Sequence, residues 1–459
     1  MSQTTEIHPN SARTAATRTV RPLAEVVGGD LRVPLATGGS VRYANLDYAA
    51  SAPALRTVAE RVEQVLPFYS SVHRGAGWAS QVSSRLYEGA RNRVARFVGA
   101  RPDDVLVFVR NTTDALNLLA RAVPTGGGDV LVLEIEHHAN LLPWTARKHR
   151  VVRVAGSLER TLEAVEQALA SAPVSLFAVT GASNVTGEEL PIERLAALAH
   201  SYGARIAVDA AQLAPHRRID VARAGVDYLA LSGHKLYAPF GAGALVGRRD
   251  WLDAADPYLA GGGAVQSVDL DDVAWAPSPA RHEAGTPNVL GAVALAAACD
   301  ALHALPEGAL EVHESALRER LVAGLISVDG VRVHRIWDDS RSTIGVVTFT
   351  VADLDAGLAA AVLSAEQGIG VRDGKFCAHP LLRRIGLDDG AVRASLGVGS
   401  CSEDVDRLVA AVRSLVEDGP ALRYHRVDGR YAPVDDQRTL PSWLDLPAGG
   451  TGASACEER

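Results

Sequence analysis

The stretch that decides the fold is Asp227-Tyr228-Leu229-Ala230-Leu231-Ser232-Gly233-His234-Lys235-Leu236. An apolar run of strand length ends here in a turn of small and polar residues, and that turn carries a lysine. The chain holds 46 lysines and arginines, but its only lysines are Lys148, Lys235 and Lys375. Because arginine fills nearly every ordinary basic position, a lysine at a strand end indicates chemistry that arginine cannot perform.

That chemistry is condensation with an aldehyde. A lysine in a dry pocket loses its proton readily and forms a Schiff base, which is how pyridoxal phosphate is held in enzymes. The turn Ser232-Gly233-His234-Lys235 supplies donors for the phosphate as well as the amine. Taken alone, the turn also fits a surface lysine on a strand-end loop, so the rest of the chain has to decide.

Apolar strand patterns recur along the chain with helical patterns between them. Strands are predicted over residues 105–109, 130–133, 151–154, 176–179, 206–208, 228–231 and 244–246, and helices over 115–123, 192–200 and 290–302. Continuous β-branched runs of this kind are typical of a mostly parallel sheet covered on both faces, so we predict an α/β fold. Ligands bind at the carboxyl ends of such strands.

After about Leu305 the order of predicted helices and strands changes, which predicts a smaller second α/β domain. Its elements are helices over 314–325 and 403–417, the latter capped by Ser402, and strands over 331–335 and 344–350. The predicted organisation is a disordered lead (1–20), an N-terminal segment that packs with the small domain (21–44), a large cofactor-binding domain (45–304), a small C-terminal domain (305–422) and an extension (423–459) whose last ten or so residues are disordered.

Composition indicates a large core and a small-molecule or protein partner. The 459 residues are 47% hydrophobic and 22% charged. A net charge of −8, with acidic and basic residues interspersed, favours neither a nucleic-acid groove nor a membrane surface. The longest small-apolar run, 290–299, is too short to cross a bilayer and the first residues lack an apolar signal core, so we expect a cytoplasmic location. The four cysteines lack metal-ligand spacing and are expected to be free thiols, and no metal is predicted.

Polar residues follow five of the predicted strands. Asp209 is placed to keep a pyridinium nitrogen protonated, and Gln212 is within reach of the ring hydroxyl. The turn before the helix at 115–123 offers Thr113 and free backbone amides to a phosphate. His137 is suited to stacking on a flat ring, and Asn184 to the cofactor oxygen or a substrate carboxylate. Singly, Asp209 and Thr113 also fit helix N-caps, and a lone histidine is often structural; together they indicate one crevice.

Five motifs make a family resemblance specific. They are Glu136-His137-His138-Ala139-Asn140, Ser183-Asn184-Val185-Thr186-Gly187, Asp209-Ala210-Ala211-Gln212, Ser232-Gly233-His234-Lys235 and Glu283-Ala284-Gly285-Thr286-Pro287. From about Tyr43 to Leu415 the chain resembles the fold-type I pyridoxal-phosphate enzymes of aminotransferase class V, and within them the Suf-type cysteine desulfurases and selenocysteine lyases. The resemblance implies a large, mostly parallel domain, a smaller α/β C-terminal domain and pyridoxal 5'-phosphate as cofactor.

The resemblance also implies roles for individual residues. Lys235 forms the Schiff base, Asp209 pairs with the ring nitrogen, His137 stacks on the ring and acts in catalysis, and Gln212 and Asn184 contact the hydroxyl side. The phosphate is assigned to Thr112, Thr113, Ser232 and His234. Family members are homodimers with shared sites, which assigns His73, Arg74 and Thr286 to the neighbouring subunit's site. Arg393 matches the substrate-carboxylate arginine; without the family it fits a helix surface or a salt bridge.

The segment Gly370-Val371-Arg372-Asp373-Gly374-Lys375-Phe376-Cys377 aligns with the desulfurase loop that carries the nucleophilic cysteine. A thiol here takes the substrate sulfur as a persulfide and leaves alanine, and Arg372 and Lys375 favour its thiolate. Many relatives carry histidines where this chain has Lys375 and Phe376, and commonly glutamate where it has Asp114. Cys377 also fits a small buried cysteine, as Cys299 does.

The function predicted is therefore a homodimeric cysteine desulfurase or selenocysteine lyase acting on an amino-acid substrate, with a possible protein sulfur acceptor. Two alternatives stay open at this point. One is a class V transaminase, epimerase or C–S lyase in which Cys377 is a bystander. The other is a non-catalytic scaffold, against which Lys235, Asp209 and His137 argue because a scaffold needs no electron sink.

Overall fold

The computed structural model describes residues 19–444, so residues 1–18 of the predicted disordered lead (1–20) and the last ten residues, also predicted to be disordered, lie outside the described part. The strands are β1 (Arg32–Pro34), β2 (Ser40–Arg42), β3 (Ala44–Asn45), β4 (Val105–Val109), β5 (Asp129–Leu133), β6 (His149–Val152), β7 (Val174–Thr180), β8 (Arg205–Asp209), β9 (Tyr228–Ser232), β10 (Gly243–Gly247), β11 (Val265–Val268), β12 (Val273–Trp275), β13 (Val331–Val333), β14 (Val346–Val351), β15 (Ile369–Gly370), β16 (Arg372–Gly374), β17 (Ala391–Ser395), β18 (Tyr424–Val427) and β19 (Arg430–Pro433).

The α-helices of this part are α1 (Arg56–Val65), α2 (Trp78–Phe97), α3 (Thr112–Ala122), α4 (Leu158–Ser171), α5 (Ile192–Ser201), α6 (Arg249–Ala254), α7 (Val289–His303), α8 (Ala309–Ile326), α9 (Ala356–Gln367), α10 (His379–Arg384) and α11 (Ser402–Asp418). Short 3₁₀ helices span Leu66–Phe68, His138–Asn140, Leu142–Ala146 and Ala280–His282. No helix among residues 19–444 is both long and apolar enough to cross a membrane.

A seven-stranded sheet in the order β4-β10-β9-β8-β7-β5-β6 forms the centre of the molecule. Its strands are parallel except that β10 runs antiparallel to both of its neighbours. All seven residues of β7 are buried, as expected for a strand covered by helices on both faces. The predicted α/β fold with a mostly parallel sheet is confirmed.

The edge strand β6 differs from its prediction, which placed it at 151–154. It pairs only with β5, and the last pair joins Val152 to Leu133, where β5 ends. Val154 is buried, but its amide donates to the carboxylate of Glu134 instead of to a strand. The apolar sequence pattern therefore extends beyond Val152, but the strand ends there because β5 offers no further residues to pair with.

Helix α7 is largely buried and packs against helices α1 and α2. Its run of small apolar residues suits such a position, because a helix that is apolar all round is a core helix. Cys299 in this helix is fully buried, as predicted. None of the described cysteines, Cys299, Cys377 and Cys401, forms a disulfide bond, also as predicted.

A second, antiparallel sheet of order β13-β14-β17-β16 packs with α8, α9 and α11 around its own apolar core. Strand β3 near the N-terminus pairs in parallel with β15 of this region. We propose the domain division predicted from the sequence, 45–304 and 305–422, with the segment before residue 45 packed on the smaller unit.

The predicted N-cap of α11, Ser402, was wrong. The helix begins at Ser402, and Cys401 is its N-cap residue: the amide of Cys401 donates a hydrogen bond to the carboxylate of Asp404 at 3.1 Å.

The beginning of the C-terminal extension forms the hairpin β18–β19, which packs on α9. Glu366 near the end of α9 accepts hydrogen bonds from the amides of Ala421 and Leu422 and from the hydroxyl of Tyr424. These bonds tie the extension to the small sheet region that also carries β16 and β17.

Candidate active site

The carboxyl ends of the central strands meet at a cavity of about 170 Å³. Asp209 ends β8 and lies opposite Thr180, the last residue of β7, while Ser232 ends β9. The cavity brings together these predicted site residues: Thr112, Thr113, His137, Asn184, Asp209, Gln212, Ser232, His234, Lys235, Arg372, Cys377 and Arg393. The expectation that polar strand ends converge on one crevice is therefore met.

Lys235 lies in the turn that follows β9. Gly233 makes the turn possible, because a Cβ there would stand 2.5 Å from the carbonyl oxygen of Ala242. Burial lowers the pKa of Lys235 to about 8, against the opposing effect of the carboxylate of Asp209. A substantial neutral fraction near neutral pH makes this amine a nucleophile, which a surface lysine is not.

Asp209 is buried at the end of β8, and Ala211 donates its amide to Oδ1 at 2.9 Å. Burial raises its pKa, whereas that hydrogen bond and the charge of Lys235 lower it. Because the chain continues into turns rather than a helix, the N-cap alternative for Asp209 is wrong. A buried carboxylate facing a ligand cavity suits a cationic ring nitrogen.

The turn after β4 arranges hydroxyl groups at the start of α3. Asn111, not a threonine, caps this helix by accepting from the amide of Asp114 at 3.1 Å. Thr112 donates its amide to Ser232 Oγ at 2.8 Å, and the two hydroxyl oxygens are also 2.8 Å apart. The helix start and a pair of buried hydroxyls therefore face the same cavity, as an anion requires.

His137 is held as a neutral ring. Its Nδ1 accepts from the amide of Ala139 at 3.0 Å, and burial together with Lys235 lowers its pKa to about 3. The preceding Glu136 is fully buried and accepts from Asn140 Nδ2 at 2.7 Å and from the amide of Thr180 at 3.1 Å. Burial raises the pKa of Glu136 well above its ordinary value. No sequence pattern gave Glu136 a role, because only the fold shows that it connects the turn after β5 to the end of β7.

Gln212 and Asn184 have partners that the sequence did not suggest. Gln212 Nε2 donates to the carbonyl oxygen of Ala49 at 2.9 Å, and Asn184 Nδ2 donates to that of Phe376 at 2.8 Å. Each amide keeps a second N–H and its own oxygen for a ligand. The predicted contacts to the ring hydroxyl side stay a proposal.

Arg393 lies on β17 of the small sheet, buried and not on a helix surface, so the helix alternative is wrong. Its Nη1 donates to the carbonyl oxygen of Asn184 at 2.9 Å, and its Nη2 forms an ion pair with Asp47 Oδ1 at 3.1 Å. Its buried Nε has no hydrogen-bond partner among the described residues. Burial lowers the pKa of Arg393 to about 10. Asp47 lies 346 residues away in sequence, and no sequence pattern pointed to it.

Cys377 belongs to a loop after β16 that borders the same cavity as Lys235. The amide of His138, next to the ring residue His137, donates to the carbonyl oxygen of Cys377 at 2.9 Å. Arg372 on β16 is the register partner of Arg393 on β17, so two guanidinium groups stand beside the loop. The thiol and the candidate substrate-binding arginines thus share one site.

Three predicted residues lie outside this cavity. Thr286 is exposed and borders a separate cavity of about 450 Å³. Arg74 donates to the carbonyl oxygen of Gly262 at 2.7 Å, and the exposed His73 lies 3.1 Å from Glu88. Within one chain these residues therefore do not complete the site around Lys235.

The comparisons with known proteins agree with this geometry. The sequence model of the family "Aminotransferase class-V" matches residues 44–408. This chain belongs to that family. It is 36% identical to a probable cysteine desulfurase of Vibrio cholerae, over 78% of this chain and 90% of the relative, and 37% identical to a probable cysteine desulfurase of Mycobacterium leprae, over 82% and 91%.

Solved structures give the same result. A cysteine desulfurase from Escherichia coli matches with a TM-score of 0.73 and 33% identity, and one from Thermococcus onnurineus with 0.75 and 33%. Each covers 82% of this chain and 95% of the known structure. The predicted family and its cofactor, pyridoxal 5'-phosphate, are confirmed.

The residues around the cavity fit this cofactor. They offer one amine of lowered pKa, hydroxyl and helix-start donors suited to a phosphate, a buried carboxylate and a neutral imidazole. The unpaired Nε of Arg393 is a further buried donor at the same site.

Proposed function

We propose that this protein is a pyridoxal-phosphate-dependent cysteine desulfurase. It converts L-cysteine, or L-selenocysteine, to L-alanine and leaves the sulfur as a persulfide on Cys377. One observation carries this proposal: Cys377, Lys235 and Arg393 border a single cavity although they belong to separate parts of the chain. The names and extent of the relatives favour this function over the other class V reactions.

The cavity residues take distinct roles toward the cofactor. Lys235 provides the amine that binds the aldehyde, and its Nζ moves a proton at the substrate α-carbon. Asp209 would hold a proton at the ring nitrogen, and His137 would stack on the ring. Thr112, Thr113, Ser232 and His234 would bind the phosphate. When bound, pyridoxal phosphate withdraws electrons from the substrate α-carbon.

Arginines and amides orient the substrate. Arg393 binds the substrate carboxylate with its guanidinium fork, assisted by Arg372 and Asn184. The carboxylate takes the place of Asp47 on Arg393, a partner that is itself partly exposed. Two arginines and Lys235 give this cavity positive charge in a chain whose net charge is −8, which favours an anionic substrate.

The thiol of Cys377 completes the reaction. Its thiolate forms a bond with the substrate sulfur while the bond from that sulfur to Cβ breaks, and the electron pair of the broken bond takes up a proton to form the methyl group of alanine. L-cysteine and the Cys377 thiol thus yield L-alanine and a persulfide, with no outside oxidant. A reductant or an acceptor protein then removes the outer sulfur.

Product analysis tests the proposed function directly. Purified protein loaded with cofactor is incubated with L-cysteine and dithiothreitol, and sulfide and alanine are measured. A desulfurase gives the two in equal amounts. Pyruvate in place of alanine would instead show C–S lysis, and a keto acid with retained sulfur would show transamination.

The lowered pKa of Lys235 predicts how cofactor loading depends on pH. Only the neutral amine attacks an aldehyde, and a pKa of about 8 leaves about a tenth of the amine neutral at pH 7. We expect the rate at which apoprotein binds pyridoxal phosphate covalently to rise with pH up to about 8 and to level off above it. Stopped-flow absorbance measures this rate. A rate that keeps rising through pH 10 would indicate an ordinary lysine.

Replacement of Arg393 should weaken amino-acid binding without loss of cofactor. Charge-assisted hydrogen bonds contribute about 1.5–3 kcal/mol each, so Arg393→Ala is expected to weaken binding of L-alanine by about ten- to a hundredfold or more. Titration of the cofactor absorbance measures the affinity. Arg426→Ala is the control, because it removes an exposed ion pair with Asp355. Unchanged affinity in Arg393→Ala would exclude Arg393 from the substrate site.

We further propose a cytoplasmic homodimer that passes its sulfur to an acceptor protein. The dimer explains why Thr286, His73 and Arg74 lie away from the cavity of their own chain: they complete the partner's site. Mixing inactive Lys235→Ala chains with inactive Arg74→Ala chains tests this, because one site of the mixed dimer carries neither change. No recovery of activity after proven subunit exchange would contradict a shared site.

A further inference from the structure

The loop that carries Cys377 adopts an unusual backbone conformation. Phe376 and Cys377 both have positive φ, 53° and 54°, in the left-handed region that residues other than glycine rarely occupy. Two consecutive residues in this region need contacts that hold them there. The structure shows which contacts these are.

Three contacts help to fix the loop, and two of them come from side chains that line the cavity. Asn184 Nδ2 donates to the carbonyl oxygen of Phe376 at 2.8 Å, and the amide of His138 donates to that of Cys377 at 2.9 Å. The ring of Phe376 is buried, with its centroid 5.2 Å from the guanidinium carbon of Arg393. At this distance a cation and an aromatic face attract each other.

Arg393 and the loop also share Asn184. The carbonyl oxygen of Asn184 accepts from Arg393 Nη1 at 2.9 Å, while the side chain of Asn184 holds Phe376. Phe376, Asn184 and Arg393 therefore form a closed unit. Arg393, which binds the substrate carboxylate in the proposed function, therefore also contacts the loop that carries Cys377.

We propose that Phe376 is a positioning residue for Cys377. Its ring rests on the guanidinium of Arg393, so the side chain that fixes one end of the substrate also fixes the loop that bears the nucleophile. The contact between Phe376 and Arg393 thereby contributes to the separation between the Cys377 thiol and the substrate sulfur. This inference rests on the proposed function and adds a residue to it.

The test measures one round of persulfide formation on Cys377 by mass spectrometry at saturating L-cysteine. In Phe376→Leu, which removes the ring, the rate is expected to fall about tenfold, equivalent to about 1.4 kcal/mol. Phe376→Tyr keeps the ring and should stay within about threefold of wild type, on the same scale. Phe177→Leu, the same change at a buried strand position in the central sheet, serves as control. Phe376→Met is a second ring-free variant of similar volume if Phe376→Leu does not fold.

Two further measurements separate positioning from general destabilisation. Cleavage of the weaker carbon–selenium bond of L-selenocysteine depends less on attack by the thiol. The turnover of L-selenocysteine by Phe376→Leu should therefore stay within about twofold of the wild-type value. Combining Phe376→Leu with Arg393→Lys should slow persulfide formation no further than Arg393→Lys alone, because the two side chains act through one contact.

The outcomes are distinct. Equal losses with both substrates, or losses that multiply in the double variant, would overturn the positioning role. A wild-type rate in the ring-free variants would overturn it as well, while leaving the proposed function intact. Failure of the wild-type protein to form any persulfide on Cys377 would overturn the proposed function itself, and with it the role of Phe376.

Discussion

Lys235→Ala is expected to abolish both L-cysteine turnover and covalent attachment of the cofactor. In the proposed function, the substitution removes the nucleophile for the aldehyde and the proton carrier at the substrate α-carbon. Loss of a general acid–base group alone lowers rates by about 10²–10⁴-fold, so turnover should fall by about 10³-fold or more. The fold should survive, because the change also removes an amine whose burial is unfavourable, as its pKa of about 8 shows.

Borohydride reduction followed by peptide mass spectrometry measures the attachment. Wild-type protein should carry a pyridoxyl group on the peptide that contains Lys235, and Lys235→Ala should carry none. Lys148→Ala is the matched control, because Lys148 is exposed and lies outside the cavity. Its Nζ forms an ion pair with Asp129 Oδ1 at 3.0 Å. A reduced pyridoxyl-lysine in the Lys235→Ala protein would show that the anchor was assigned to the wrong residue.

Cys377→Ala is expected to eliminate the protein persulfide while the cofactor remains bound. Lys235, Asp209 and Arg393 are unchanged in this variant, so L-cysteine should still bind and perturb the cofactor absorbance. Without a thiolate to accept the sulfur, L-cysteine turnover should fall by about a hundredfold or more, the scale on which a positioned catalytic group acts. L-selenocysteine should react to a greater extent, because its carbon–selenium bond is weaker.

Mass spectrometry after one exposure to L-cysteine locates the added sulfur. Wild-type protein should gain one sulfur atom on the peptide that contains Cys377. Cys401→Ser is the control, since Cys401 caps α11 and serine retains that capping ability. Full L-cysteine turnover in Cys377→Ala, with an unmodified wild-type Cys377 peptide, would exclude the desulfurase and favour C–S lysis or transamination.

Local patterns in the sequence were sufficient for the main domain and its cofactor. The strands at 105–109 and 228–231 were predicted because continuous apolar runs bounded by turns are typical of buried parallel strands. Lys235 and Asp209 were predicted as site residues because Asp209 directly follows such a strand and Lys235 lies in the turn after another. The parallel arrangement then brings neighbouring strand ends to one edge of the sheet, so convergence on a single cavity followed from local information.

The hydrogen-bond and ion-pair partners of the polar side chains could not be predicted from local sequence patterns. Gln212 donates to Ala49, 163 residues away, and Arg393 pairs with Asp47, 346 residues away. The hydrogen bond from the Thr180 amide to the Glu136 carboxylate and the end of β6 at Val152 likewise depend on which strands lie side by side. Periodicity describes a residue and its neighbours along the chain, and it carries no information about such long-range contacts.

The sequence by itself determined the fold class and the cofactor, and it predicted Lys235 as the cofactor lysine and Asp209 as the carboxylate for the ring nitrogen, since each of these depends on residues adjacent in one element. Only the tertiary structure decided that Arg393 is a buried strand residue, that Asn184 holds the Phe376 carbonyl, and that Cys377 shares a cavity with Lys235. The reason is physical. These contacts form between the central sheet and the small sheet, and their geometry is set by the packing of both units, which a pattern within either one does not specify.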